Sequence, residues 1–138
     1  MNQPKRKIQK IGSKKERQQR CGSFPIGSLN EHYLQYIDID YVLDLLKRYY
    51  KIYDYGNESE IAQLEQELHM YGQLLIDANC KELGEAIHNL ISLLDEFEET
   101  RIDYYNGNSY LFDDYCELNF DCEKLYNKIV TTLYKFED

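Results

Sequence analysis

Tryptophan is absent from this chain, and proline occurs only at Pro4 and Pro25. Nothing from Gly27 onward therefore interrupts a helix by lacking a backbone N–H, which favours an all-helical body. Cysteine pairs in C-x-x-C spacing are also missing: Cys21, Cys80, Cys116 and Cys122 are scattered. Cys116 and Cys122 would stand roughly 240° apart around a helix. That pattern excludes a zinc knuckle or disulfide framework and points to a reduced, cytoplasmic setting. No apolar run approaches the ~20 residues of a membrane span. The basic start lacks the apolar stretch of a secretory signal, and Ile8 and Ile11 are too little for an amphipathic presequence.

Catalytic signatures are lacking as well. There is no G-x-S-x-G, P-loop or G-x-G-x-x-G, and "DID" at 38–40 lacks the glycine and distal glutamate of a calcium loop. Glu85 and His88 form one E-x-x-H, and an antiparallel hairpin would bring His69, with Glu65 one turn before it, level with His88. Di-iron bundles need two such motifs and two further glutamates. The histidines are therefore expected on charged surface faces. No enzymatic activity, cofactor or metal is expected.

What the chain does have is a divided charge. Lys5, Arg6, Lys7, Lys10, Lys14, Lys15, Arg17 and Arg20 face only Glu16 within the first 20 residues, a balance of +7. The other 118 residues carry 8 basic and 24 acidic side chains, a balance of −16, so the whole stands at −9. Such asymmetry does nothing for folding and speaks of electrostatic partners. Residues 1–27 read as a flexible basic arm closed by "CGSFPIGS", and residues 28–138 as an acidic helical domain.

The domain shows helical periodicity throughout. A short helix is expected at Leu29–Tyr36, after Ser28 and Glu31 at capping-box spacing. Val42, Leu45, Leu46, Tyr49, Ile52 and Tyr53 stripe the next helix, which Gly56 and Asn57 stop. Ile61, Leu64, Leu68, Tyr71 and Leu75 stripe a helix over about 57–78. Leu83, Ile87, Leu90, Ile91, Leu94 and Phe97 stripe one over about 80–99. Beyond the breaker "NGNS" at 106–109, Tyr115, Leu118, Cys122, Leu125, Ile129, Leu133 and Phe136 stripe the last. Asn57/Glu60, Asn79/Glu82 and Asp114/Glu117 repeat the capping spacing. The expected fold is a small all-α antiparallel bundle of about four main helices. Gly72 and Gly84, both inside helices near one hairpin turn, suggest a close helix approach there.

The stretch from Asp95 to Glu123 holds ten acids and one base, Arg101. Asp95, Glu96, Glu98, Glu99, Asp103, Asp113, Asp114 and Glu117 are the candidate phosphate mimics, interleaved with Tyr104, Tyr105 and Tyr110 as contact anchors. Carboxylates on helices can imitate a nucleic-acid backbone and steer toward a basic groove, while tyrosine adds contact area at low entropy cost. The expected function is a non-enzymatic inhibitor that occupies the nucleic-acid channel of a basic partner, such as a nuclease. Small phage or mobile-element proteins of the anti-CRISPR and anti-restriction kinds use this strategy; the likeness is one of size and composition. Two other readings stand beside it. The basic arm could hold DNA or RNA, leaving the body as an adaptor, since eight cations can neutralise about eight phosphates, or it could dock on an acidic patch of a protein partner. The domain could also be an immunity protein against a basic toxin.

Overall fold

The structure, a computed structural model, describes residues 22–26, 29–53 and 56–137. The eight cations from Lys5 to Arg20 lie outside the described residues, as does Ser28. The described part is helical, with no strand: α1 (Glu31–Leu34), α2 (Ile39–Ile52), α3 (Glu58–Asp77), α4 (Lys81–Tyr105) and α5 (Phe112–Tyr134). Short 3-10 turns at Ser109–Leu111 and Lys135–Glu137 precede and follow α5. α4 is the central helix, packed against α3 on one side and α5 on the other, with α2 lying over both partners.

The apolar stripes explain this arrangement. Val42, Leu45, Leu46 and Tyr49 of α2, Leu64, Leu68 and Leu75 of α3, and Cys122, Ile129 and Leu133 of α5 are buried. They close on Leu83, Ile87, Leu90, Ile91, Leu94 and Phe97 of α4, making one contiguous core. Burying each such large apolar side chain contributes ~1.5–3 kcal/mol relative to exposure, and α4, with two neighbours, buries most.

At the α3–α4 hairpin two glycines meet. A Cβ on Gly84 would lie 2.3 Å from the Gly72 carbonyl oxygen, and one on Gly72 would lie 3.1 Å from the Gly84 carbonyl oxygen. The helices touch backbone to backbone, which outweighs the helix propensity glycine forfeits.

The caps depart from the spacing rule. Asn57 caps α3 as expected, its side chain accepting from the Glu60 N–H at 2.7 Å. Asn79, however, adopts φ 73° and turns the chain, and Cys80 takes the cap position of α4 with no side-chain bond. Asn30 caps α1 and Asp38 caps α2, accepting from the N–H groups of His32 and Tyr41. α5 begins two residues ahead of Asp114, so Asp113 and Asp114 sit in its first turn, where carboxylates complement the helix dipole. α4 runs past residue 99 to Tyr105, because nothing before Asn106 and Gly107 stops it.

Residues 22–26, which composition assigns to the end of the arm, lie against α5. The Phe24 N–H donates to Thr132 Oγ1 at 2.8 Å, and Lys128 Nζ stands 4.3 Å over the Phe24 ring. Among the described residues no helix is long and apolar enough to cross a membrane.

Candidate partner-binding face and the polar seam beside it

The extension of α4 places the acidic stretch on helix rather than loop. Glu96, Glu99 and Asp103 recur at three- and four-residue steps, so they share one exposed face of α4. Asp114, Glu117 and Asp121 do the same on α5. Between the two rows runs a groove of about 310 Å³ lined by Glu96, Thr100, Asp114, Glu117 and Leu118. The buried Cys122 thiol of α5 is pushed up to about 12, first by burial and then by the charges of Asp121 and Glu96. Asp121 was not among the candidate residues, although its spacing from Asp114 and Glu117 could have revealed it.

Two of the eight candidate acids have partners within the fold. Glu98 is ion-paired with Arg101, the one base of the stretch, and both are only partly exposed. Asp95 lies exposed on α4, yet its carboxyl faces that of Glu65 on α3, to which it can donate when protonated. Glu96, Glu99, Asp103, Asp113, Asp114 and Glu117 remain exposed.

The aromatic residues divide in the same way. Tyr104 stacks on Tyr115 at 5.5 Å, and Tyr115 stacks on Phe97 at 5.3 Å. Phe97 meets Tyr53, which leads through Tyr50 to Tyr126 at 4.0 Å. Tyr104 thus belongs to an internal aromatic ladder joining α2, α4 and α5, and it is half-buried. Tyr105 and Tyr110, at 67% and 79% exposure, reach solvent near exposed Ile102 and Phe112, the Tyr105 ring also meeting Tyr104 at 5.2 Å and Tyr115 at 6.2 Å edge-on. The α4–α5 corner therefore presents aromatic surface next to the acidic groove, with Tyr104 as its base.

Between α3 and α4 lies a polar seam. The buried Tyr49 hydroxyl of α2 donates to Glu65 Oε2 at 2.8 Å. Burial, that hydrogen bond and the charges of Glu65 and Asp95 push its phenol far up. The Asp95 carboxyl is raised to about 6, chiefly by desolvation, then by the hydrogen bond with Glu65 and the Glu65 charge. The hairpin brings His69 and His88 together as their spacing from the turn predicts. Their Nδ1 atoms are 2.6 Å apart and their rings 4.8 Å, nearly parallel at 20°. Among the described residues no three His, Cys, Asp or Glu side chains converge to hold a metal ion.

Comparison with known proteins gives no relative. No family model, curated protein or solved structure matches this chain. Its surface chemistry alone must supply a functional reading.

Proposed function

We propose that this chain is a non-enzymatic binding protein whose acidic α4–α5 face occupies the nucleic-acid-binding surface of a basic partner protein and so inhibits it. The observation that carries this reading is the groove between Glu96 and Thr100 on α4 and Asp114 and Glu117 on α5, with exposed Tyr105 and Tyr110 at the same end of the helix pair. Two rows of carboxylates on antiparallel helices give a field that attracts a cationic groove from a distance. The exposed phenol rings add the short-range contact that slows dissociation. A phage or mobile-element inhibitor acting in the host cytoplasm fits this chemistry, as does an immunity protein; both rest on the same face and differ only in the partner.

The rival is the adaptor, in which the basic N-terminal residues hold nucleic acid. Fluorescence anisotropy with labelled duplex DNA and single-stranded RNA, titrated with salt, separates the two. Under the inhibitor reading, neither the full chain nor a chain beginning at Gly22 binds tightly near physiological salt, because the −16 body repels phosphates. Tight, salt-sensitive binding that disappears in the shorter chain would overturn it and make the basic residues the working element.

A further inference from the structure

The contact between His69 and His88 allows few arrangements of protons. At 2.6 Å between two Nδ1 atoms, one ring must donate an N–H and the other accept it. A neutral pair satisfies this, and so does a pair with one added proton, in which an imidazolium donates to a neutral imidazole and the bond becomes charge-assisted. A pair with two added protons cannot: both Nδ1 atoms would carry hydrogens pointing at each other. The ring of His88 lies over Gly72, where a Cβ would be only 3.1 Å from its Cε1, so the ring packs against the glycine at the helix contact. Partial exposure of His88 leaves a path outward, away from Gly72.

The carboxylates whose charges reach the histidine pair are Glu85, at His88, and Asp95, at His69, both on α4; Glu65 stands one turn before His69 on α3. Tyr49 on α2 donates its hydroxyl hydrogen bond to Glu65, and the Cys122 thiol of α5 is felt weakly at Tyr49. As acid is added, Asp95 takes up a proton and its attraction for His69 is lost. Desolvation and the neighbouring His69 also disfavour the charged form of His88, against the pull of Glu85.

We propose that the His69–His88 pair is an acid-operated latch on the α3–α4 seam: it holds one shared N–H when closed, and protonation of both rings swings His88 out and loosens the helix contact at Gly72 and Gly84. The device does not draw on the partner-binding reading, since neither histidine is among the acids or aromatic residues of that face.

The test is an NMR titration of the imidazoles in the full chain from neutral to mildly acid pH, for the native sequence and for His69→Gln. His32, on α1, is the internal reference. In the native chain His69 and His88 should titrate as a coupled pair in two steps separated by more than about one pH unit. In His69→Gln, an exposed position where folding is not at stake, His88 should titrate in a single step. Amide exchange over residues 70–76 and 83–89 should accelerate across the lower step in the native chain and not in the variant. Two histidines that titrate together in a single unseparated step, or an acceleration that persists in His69→Gln, would overturn the proposal.

Discussion

The carbonyl oxygen of Gly72 stands where a Cβ on residue 84 would come within 2.3 Å of it, so two helices of this bundle are joined by backbone contact. Gly84→Ala must push the helices apart, and the strain of overpacking costs about 1–3 kcal/mol. The gain in helix propensity returns only about 1 kcal/mol. Gly72→Ala meets the Gly84 carbonyl oxygen at 3.1 Å and the movable His88 ring, so its net effect should be smaller. Urea denaturation followed by circular dichroism should rank the native chain and Gly72→Ala together, above Gly84→Ala. A Gly84→Ala chain as stable as the native one would contradict the close contact.

Asp95 carries a cost at neutral pH. Its folded carboxyl is raised from 3.8 to about 6, so the folded state binds that proton more tightly than the unfolded state. Stability from this group therefore rises as pH falls from about 6 toward about 4, and the penalty is fully present above 6. Asp95→Asn keeps the shape and replaces the charge with an amide that donates to Glu65. It should stabilise the domain at pH 7 by up to about 1 kcal/mol, the exposure of Asp95 having been allowed for. That advantage should shrink as pH falls, and urea midpoints at neutral and acid pH would show it. An advantage that stays constant with pH would mean that Asp95 is not the titrating group.

Tyr104 and Tyr105 are neighbours with different duties. Tyr104 stacks on Tyr115 inside the aromatic ladder, whereas Tyr105 is 67% exposed. Tyr104→Ala should lower stability by about 2 kcal/mol through lost burial and stacking. Tyr105→Ala should change stability by no more than about 0.5 kcal/mol. It should instead weaken partner binding by about tenfold or more, as loss of an interface anchor does. Thermal denaturation of the two variants side by side separates the roles, and equal destabilisation would contradict the division.

The helices were legible because their apolar residues repeat: all six stripe residues of α4, from Leu83 to Phe97, are buried. The level placement of His69 and His88 was legible too, since both were counted from the same turn. The caps were less so, because capping-box spacing recurs by chance in a chain so rich in Asn, Asp and Glu. Asn79 fitted the pattern but served the turn through its left-handed backbone. The ladder through Tyr104, Tyr115, Phe97, Tyr53, Tyr50 and Tyr126 joins three helices, and periodicity within one helix cannot announce contacts between helices. For the same reason the seam of Tyr49, Glu65 and Asp95 was hidden: the three lie on α2, α3 and α4, and only packing brings them together.

The central claim is that the acidic α4–α5 face works by charge against a basic, nucleic-acid-binding partner. The most direct measurement is displacement of labelled DNA from a panel of basic nucleases by three chains: the native sequence, a chain beginning at Gly22, and the quadruple variant Glu96→Lys, Glu99→Lys, Asp103→Lys and Glu117→Lys. All four changed positions are exposed, so the variant should keep its helical circular dichroism. The account predicts that the native and shortened chains both displace DNA from a responsive nuclease, less well as salt rises, and that the variant does not. Equal displacement by the variant, or none by the native chain from any member of the panel, would contradict it.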